Sequence, residues 1–485
     1  MGRTKQRNAK YFFIALGIFA VVFTTAFFGT QYFTKTGIFK IPGVVTYDES
    51  LTESEISLLQ TIFTEDVELD KNLHVTAENF TKHPELRENS YLTEVKVPVT
   101  SFYDSRNDTN QHEDFETIPI EELDHTKKLL SVDGEYYLDT FDGGAFYRVL
   151  TFESEAYESE IKPLIADKFT KTYPTKDTVL TFAQTGVTAL SRRMNAKLYQ
   201  VGDANYFAEH IKDLLSSFDL THTSNESSFT SAANSSNICS DPRFIDTLTA
   251  IGLDIVELTG NHNFDCGYQT AIDTIDIYEQ NGIKHVGGGK NADDAATPLQ
   301  ISQKGTGITF LAYNQSTGGS TYGNTPGANQ YYEERAANDI AAAKARGDFV
   351  IVDIQYYECN AYASTYEDPI CDHADSSAGD QISFFRHLID LGADLVVGTA
   401  AHQPQTFELY GDGAIYYGLG NLFFDQSWWP GTTRSLVLAH YFYDGKLLQT
   451  KIVPTVYDGN LQTKLLEQET AAWLVERLAS VRPNQ

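Results

Sequence analysis

A short polar sequence directly after an apolar run contains the side chains of this chain best suited to chemistry. Leu253–Leu258 is mostly apolar and carries β-branched residues, which predicts a buried strand. A Thr-Gly pair ends that strand, and the amide of Asn261, the imidazole of His262 and the carboxylate of Asp265 follow. Ligands of open α/β sheets bind at the carboxyl ends of strands, so the turn predicts a ligand site. The alternative is that Asn261 and Asp265 bond turn backbone while His262 packs in the core.

Polar residues also follow other apolar runs. They are Gly186 and Thr188, Asn225 and Glu226, Gln355 and Glu358, His402, and Gly420 and Asn421. One such placement arises by chance, whereas its repetition along one sheet edge predicts a shared cleft. Within it we expect Glu226, His262 and His402 to be the catalytic acid–base groups. The expected substrate contacts are Asn225, Asp265, Gln355, Glu358 and Asn421.

The elements that must position these residues alternate between strands and helices from Thr178 onward. Strands are predicted at Val179–Ala183, Leu253–Leu258, Ile308–Tyr313, Phe349–Ile354, Asp394–Gly398, Ile415–Asn421 and Ser435–Tyr443. Helices are predicted after a Ser240 cap, around Ile272 and Ile275 as far as Gly282, at Glu333–Arg346 and at Asp380–Leu391. This alternation predicts βαβ crossovers and a sheet covered by helices.

The preceding residues, from Leu51 to about Lys171, have a different, strand-rich texture. Leu92–Val99 and Glu135–Phe141 alternate as strands do, between Asp/Gly turns. No catalytic combination of residues stands out there. A small α/β binding lobe and a spacer remain alternatives for this region.

Length and charge restrict the class of protein. With 485 residues the chain is too long for one ordinary core, so two or more domains are expected. Its formal net charge of −30 would repel a phosphate polymer. We therefore expect no nucleic-acid partner.

The N-terminal region indicates where the protein resides. Tyr11–Thr34 contains no charged residue, and about 20 apolar helical residues span a bilayer. The positive-inside rule keeps the N-terminus cytoplasmic, because basic residues precede the segment at Arg3, Lys5, Arg7 and Lys10. We expect a single-pass cell-membrane protein with an extracytoplasmic body. A cleaved signal peptide, with Ala26 and Gly29 near the cut, is the alternative.

The four cysteines lie in an oxidising compartment under this prediction and lack the Cys-x-x-Cys spacing of zinc sites. A Cys239–Cys266 bond would tie the loop before a helix to the loop that carries His262. Cys359 and Cys371 would close a polar loop. Free buried thiols are the alternative.

Several of these pieces, in their order along the chain, resemble the CapA-like family linked to capsule and poly-γ-glutamate production. That family is itself similar to calcineurin-like metallophosphoesterases. The matching pieces lie at Thr185–Arg192, Ser224–Glu226, Ile251–Gly267, Gly282–Gly289, Ala393–Gln405 and Tyr417–Asp425. The resemblance implies a four-layer, metallophosphatase-like α/β sandwich with its cleft at the carboxyl ends of the strands.

This chain departs from the ligands that the resemblance implies. Phosphoesterase chemistry of this kind uses two metal ions held by Asp, Asn and His. Val187 stands where the family usually has Asp, Gln355 where it has His, and Ala400 where the first of two histidines is expected. Whether a cofactor is bound stays open. The residues left to hold one divalent metal ion are Glu226, Asn261, His262 and His402.

The expected organisation is a cytoplasmic basic tail (1–10), a transmembrane helix (11–34), a stalk (35–50), a smaller strand-rich α/β region (51–175), the CapA-like metallophosphatase-like domain (176–460) and a helical tail (461–485). The first hypothesis for its function is a membrane-anchored cell-surface protein involved in the synthesis, export or tethering of a capsular or poly-γ-glutamate-type polymer. Its expected partners are the membrane, an extracellular anionic polymer or polysaccharide, and other capsule-synthesis proteins. The alternatives are a metal-dependent hydrolase of phosphoester or amide bonds with an incomplete metal site, and a non-catalytic polymer-binding module.

Overall fold

The computed structural model describes residues 45–63, 73–81, 90–141, 143–153, 161–166, 173–315, 318–356, 381–427 and 430–483. The predicted transmembrane helix, Glu358 and the Cys359–Cys371 pair lie outside these residues. In the part of the chain that is described, no helix is both long and apolar enough to cross a lipid bilayer.

The described residues form strands and α-helices that we number in chain order. The strands are β1 (Val45–Tyr47), β2 (Leu73–Thr81), β3 (Ser90–Ser101), β4 (Glu116–Pro119), β5 (Lys127–Leu129), β6 (Phe146–Glu153), β7 (Leu180–Thr188), β8 (Leu220–Asn225), β9 (Ser228–Phe229), β10 (Cys239–Ser240), β11 (Ile255–Glu257), β12 (Lys284–Val286), β13 (Gly288–Gly289), β14 (Leu299–Gln303), β15 (Thr306–Asn314), β16 (Gly327–Ala328), β17 (Phe349–Gln355), β18 (Leu395–Gly398), β19 (Phe407–Tyr410), β20 (Gly413–Tyr416), β21 (Asn421–Phe423), β22 (Arg434–Tyr443), β23 (Lys446–Tyr457) and β24 (Thr463–Leu465). The helices are α1 (Glu53–Ile62), α2 (Tyr137–Thr140), α3 (Lys162–Ala166), α4 (Arg193–Val201), α5 (Lys212–Leu215), α6 (Ile245–Ala250), α7 (Tyr268–Gln280), α8 (Ala292–Ala295), α9 (Glu333–Arg346), α10 (Gln381–Asp390) and α11 (Gln468–Ser480).

The chain divides into two compact units. The smaller comprises the described residues up to Lys96 and those between Phe146 and Thr172, and the larger comprises the described residues between Val97 and Ala145 and from Tyr173 onward. The domain ranges expected from the sequence stay a prediction.

In the smaller unit, β1 pairs in parallel with β2, and β6 pairs antiparallel with β2 and with the first residues of β3. Helix α1 begins with a capping box, in which the Thr52 side chain accepts from the Glu55 N–H and Glu55 bonds the Thr52 N–H. Buried Arg148 on β6 donates from Nε to Glu55 Oε1 at 2.6 Å. This ion pair fixes the first turn of α1 against its sheet.

The larger unit contains two sheets with parallel centres. The eight-stranded sheet has the order β12-β11-β8-β7-β22-β23-β24, with β21 beside β7, and its strands β12, β11, β8 and β7 are parallel. The six-stranded sheet has the order β14-β15-β17-β18-β20-β19, and β15, β17, β18 and β20 are parallel. The predicted mixed α/β class is therefore confirmed.

Apolar side chains of the two sheets share one core. Phe182 of the eight-stranded sheet and Phe310 of the six-stranded sheet pack there with ring centroids 5.3 Å apart. Successive residues of a strand face opposite sides, so Ile351 of β17 joins this shared core while Val352 joins a second core with residues of α9 and α10. Val256 of β11 joins a third core with residues of α6 and α7. Helices thus pack on both sheets.

The prediction of a strand at Glu135–Phe141 was wrong, because the structure forms the short helix α2 there. Tyr136, Tyr137 and Leu138 are all buried, so burial does not alternate as a strand on a sheet surface requires. Phe141 ends the turn in the left-handed region with φ of 58°. The alternation of residue types along Glu135–Phe141 therefore did not indicate a strand.

Two further predictions about local structure were wrong in detail. The side chain that caps the turn at Pro242 belongs to Asp241 rather than Ser240, because Asp241 Oδ1 accepts from the Arg243 N–H at 3.0 Å. The predicted strand Ile415–Asn421 is divided between β20 and β21. By contrast, α9 has the predicted bounds.

Candidate functional site

Residues at the carboxyl ends of strands from both sheets meet in the larger unit. Glu226 follows β8 of the eight-stranded sheet, and Gln355 ends β17 of the six-stranded sheet. Gln355 Nε2 lies 3.3 Å from Glu226 Oε1 and 3.3 Å from Asn261 Oδ1, and donates to both oxygens. One amide group therefore links residues that lie far apart in the sequence.

The Gln355 side chain is oriented from its other end. Thr399 Oγ1 donates to Gln355 Oε1 at 3.1 Å, so the amide nitrogen must face Glu226 and Asn261. Gln355 and Glu226 are buried, so their bond forms away from water. The amide N–H groups of Gln355 thus supply hydrogen bonds to both oxygen acceptors.

His402 is held by Asn421 in one tautomer. Asn421 Nδ2 donates to the backbone oxygens of His402 and Thr432, each at 3.0 Å, which turns its Oδ1 toward the imidazole. His402 Nδ1 lies 2.9 Å from that Oδ1 and donates to it. The proton on Nδ1 leaves Nε2 as the ring nitrogen that faces the cleft.

His402 and Glu226 face each other within this cleft. His402 Nε2 lies 3.7 Å from Glu226 Oε2, and both side chains are buried. In the neutral ring, both atoms present lone pairs to each other. The pair is therefore suited to a protonated imidazole beside a carboxylate, or to a cation between the two atoms.

A second, more exposed pair lies on the loop after β11. His262 Nδ1 lies 2.8 Å from Asp265 Oδ2, and 27% of the His262 side chain and 42% of the Asp265 side chain are exposed. The next residue, Cys266, forms a disulfide with Cys239, across a Cα–Cα distance of 6.1 Å. The pairing proposed for these two cysteines is therefore present, and it ties this loop to β10.

The other predicted substrate contacts have different environments. Asn225 is buried, and its Nδ2 donates to the Ser227 backbone oxygen at 2.7 Å, so it stabilises its own loop. Asn421 is the residue that orients His402, as described above. Glu358 lies outside the described residues. The division into catalytic and substrate-binding roles stays a prediction.

Sequence reasoning missed residues that bring the loops together. Buried Asn263 donates from Nδ2 to the backbone oxygen of Asn225 at 3.1 Å, which joins the loops after β8 and β11. A Cβ at Gly260 would lie 2.6 Å from Glu226 Cγ, so only glycine permits this approach. Thr399, which orients Gln355, was also missed. Two features of the sequence could have indicated these residues. Gly260 lies directly before Asn261, and Asn263 is a second amide side chain in the same turn.

Ionisable residues buried in the strands lie behind the cleft. Asp353 is two residues before Gln355 on β17 and therefore points to the same face. Its Oδ1 accepts from Gln184 Nε2 at 2.6 Å, and its Oδ2 lies 3.2 Å from His222 Nε2. Burial, together with the nearby Asp353 charge, raises the pKa of the Glu257 carboxyl to about 7. Asp353 and Glu257 were hidden within runs that were interpreted as apolar strands.

A two-metal centre does not fit the residues present. Val187 and Ala400 provide buried apolar side chains at two of the implied ligand positions, and Gln355 directs an N–H at the oxygens of its neighbours. Within the described ranges, no group of three or more His, Cys, Asp or Glu side chains is placed to hold a metal ion. Assignment of a single ion to Glu226, Asn261, His262 and His402 stays a prediction.

The sequence of the larger unit matches a known family. A profile of the family described as "Bacterial capsule synthesis protein PGA_cap" matches residues 181–426, which include all the described cleft residues. The chain belongs to this family. Among curated relatives, "Capsule biosynthesis protein CapA" of Bacillus anthracis is 24% identical over 215 residues, 43% of this chain and 49% of that protein. "PGA biosynthesis protein CapA" of Bacillus subtilis (strain 168) is 27% identical over 205 residues, 41% of this chain and 50% of that protein.

The chain spans about half the length of the curated relatives it matches. Among solved structures, that of TT1561 of Thermus thermophilus has a TM-score of 0.30 and 10% sequence identity, and covers 55% of this chain and 100% of that one. Membership of the PGA_cap family confirms the CapA-like resemblance seen in the ordered motifs.

Proposed function

We propose that this PGA_cap family member acts at the outer cell surface in the synthesis, export or tethering of a capsular or poly-γ-glutamate-type polymer. In this proposal the polymer binds in the cleft described above, which has lost the two-metal arrangement. The observation that carries the proposal is the Gln355 amide that donates to both Glu226 and Asn261. The names of the curated relatives, which refer to capsule and PGA biosynthesis, support the choice of polymer.

The chemistry of the cleft suits a polar chain molecule. Its more exposed part presents His262 and Asp265, which offer an imidazole and a carboxylate to backbone amides or hydroxyl groups of a ligand. Its buried part holds Glu226 and His402 in fixed positions. A polymer segment would contact the first pair, while the second pair sets the shape of the cleft.

A hydrolase is the second candidate, because Glu226 and His402 form a buried acid–base pair. In a hydrolytic reaction without a metal ion, Glu226 would accept a proton from water while a His402 imidazolium, protonated on both ring nitrogens, donates one from Nε2 to the leaving group. Turnover of a polymer by the wild-type chain, lost in both Glu226→Gln and His402→Ala, would select this candidate.

We also propose a cellular location for this protein and an architecture for its larger unit. A helix at residues 11–34 would anchor the chain in the cell membrane with its body outside, as the charge pattern predicts. The larger unit would form the four-layer sandwich implied by the family resemblance. The three cores, one between the sheets and two with helices, support that arrangement.

The test is the amount of surface polymer in a strain that lacks this gene. We expect the deletion to reduce extracellular polymer, the wild-type gene to restore it, and the His262→Ala/Asp265→Ala variant to fail to restore it. His210→Ala, at an exposed histidine that does not line the cleft, is the matched control and should restore it. An unchanged amount of polymer in the deletion strain would rule out the proposed function.

A further inference from the structure

A second concave site lies in the larger unit and shares no residue with the cleft. It is a cavity of about 340 Å³ between residues 102–140, strand β23 and helix α11. Its lining includes the apolar side chains of Phe102, Ile452 and Val475. The charged side chains of the lining are the ammonium groups of Lys128 and Lys451 and the carboxylates of Asp104, Glu135 and Asp139. A mixed lining of this kind is typical of a site for a small molecule, and the volume is at the lower end of the range for ligand pockets.

The ammonium groups of the two lysines have different partners. Lys451 Nζ lies 2.9 Å from Asp139 Oδ2 and 4.4 Å from the ring centroid of Tyr136, so a carboxylate already balances its charge. Lys128 Nζ instead donates to the backbone oxygen of Asp104 at 2.5 Å. Within the described ranges, no ion pair joins Lys128 to a carboxylate.

The carboxylate nearest in sequence to that carbonyl is engaged by another cation. Asp104 Oδ2 accepts from Arg106 Nη2 at 2.7 Å, and Asp104 Oδ1 accepts from Arg106 Nε at 3.0 Å. This pairing lowers the pKa of Asp104 to about 2. Burial, only partly offset by Asp104, lowers the pKa of Lys128 to about 8. Burial thus disfavours the charged form of Lys128, and no carboxylate of the described residues forms an ion pair with it.

We propose that this cavity binds a small organic carboxylate, which pairs with the Lys128 ammonium while its carbon chain packs against Phe102 and Val475. An anionic oxygen would supply the ion pair that Lys128 lacks, and a charge-assisted bond in a partly buried site is about twice as strong as a neutral one. The apolar side chains of the lining would contact the carbon chain of the ligand. This inference concerns a separate site and does not depend on the function proposed for the cleft.

The adjacent lysine provides a matched control. Lys127 precedes Lys128 on β5, and successive strand residues point to opposite faces. Lys127 Nζ pairs with Glu116 Oε2 at 2.8 Å, and Lys127 does not line the cavity. Lys127→Gln and Lys128→Gln therefore remove the same charge from the same strand, one outside the cavity and one inside it.

The experiment is calorimetric titration of the full chain with glutarate and with its neutral analogue glutaramide. We expect glutarate to bind the wild type, with glutaramide and Lys128→Gln each weakening binding by about tenfold or more, as loss of a charge-assisted bond implies. Lys127→Gln should bind glutarate as the wild type does. Equal affinity for glutarate in Lys128→Gln and the wild type, equal affinity of the wild type for both compounds, or no binding of glutarate would overturn the proposal.

A second variant guards against a folding defect in Lys128→Gln. Ala472→Leu enlarges a side chain on the α11 wall of the cavity and leaves every charge in place. We expect it to weaken glutarate binding by filling the space, with a thermal unfolding midpoint close to that of the wild type. Undiminished glutarate binding in a folded Ala472→Leu chain would show that the carboxylate binds elsewhere and would also overturn the proposal.

Discussion

The cleft has a buried part and an exposed part, and the two are held in place by different means. We call Glu226, Gln355, His402 and Asn421 the buried group, since each is at most 1% exposed. His262 and Asp265 form the exposed pair. The buried group is fixed by hydrogen bonds among its own side chains, whereas the loop of the exposed pair carries the Cys239–Cys266 disulfide in addition to hydrogen bonds of Asn261 and Asn263.

Because of this difference, we expect the buried group to position the cleft and the exposed pair to contact a ligand. A buried polar group that loses its partner destabilises the fold, because the remaining partner is left without a hydrogen bond and without water. An exposed pair loses little when one member is removed, because water replaces it. We therefore expect substitutions in the buried group to change stability, and substitutions in the exposed pair to change ligand binding.

The largest expected effect is that of His402→Ala on the free energy of unfolding. Removal of the buried ring leaves a cavity and leaves Asn421 Oδ1 without its donor, which should cost about 4 kcal/mol. The matched variant His262→Ala should cost less than about 0.5 kcal/mol, because that side chain is part-exposed. Urea unfolding of the two variants measures both values. Equal losses would remove the distinction between the buried group and the exposed pair.

The second expected effect concerns the disulfide. Replacement of both cysteines, in Cys239→Ser/Cys266→Ser, should lower stability by about 3.5 kcal/mol, since the bond closes a loop with a sequence separation of 27. Hydrogen exchange should accelerate in the loop of the exposed pair and stay slow around His402. Uniform acceleration at both places would mean that the cross-link supports the whole cleft.

The third expected effect is a pH dependence caused by Glu257, behind the buried group. Burial raises the pKa of this carboxyl from 4.5 to about 7, so the folded chain binds its proton more tightly than the unfolded chain does. The contribution of Glu257 to the free energy of unfolding is therefore complete below pH 4.5 and is lost as the pH rises to 7. The loss amounts to about 3 kcal/mol, because one pKa unit corresponds to about 1.4 kcal/mol.

Glu257→Gln removes that titration while keeping the shape of the side chain. The unfolding free energy of the variant, relative to the wild type, should therefore increase by about 3 kcal/mol between about pH 4 and about pH 8. Urea unfolding at both pH values provides the comparison. Parallel pH profiles of the two chains would contradict a neutral, buried Glu257.

The sequence allowed prediction of the exposed pair and of the strand-end positions, because those residues are neighbours in the chain or follow clear apolar runs. It did not allow prediction of the bond from Gln355 to Glu226 and Asn261, because that bond depends on how two sheets pack. Asp353 and Glu257 were missed for the same reason, since a carboxylate within a strand has no local signature. The cavity at Lys128 combines β5, β23 and α11, which are distant in sequence, so no motif could have indicated it.

The most direct test of the central claim, that the cleft has lost its two-metal arrangement, is the metal content of the purified full chain. The chain would be equilibrated with Mn²⁺ and, separately, with Zn²⁺, desalted and analysed by elemental mass spectrometry, with His402→Ala as the control. We predict at most one ion per chain for the wild type and less for the variant, because Val187, Gln355 and Ala400 supply no suitable ligand. Two ions per wild-type chain, reduced in the His402→Ala variant, would contradict the claim.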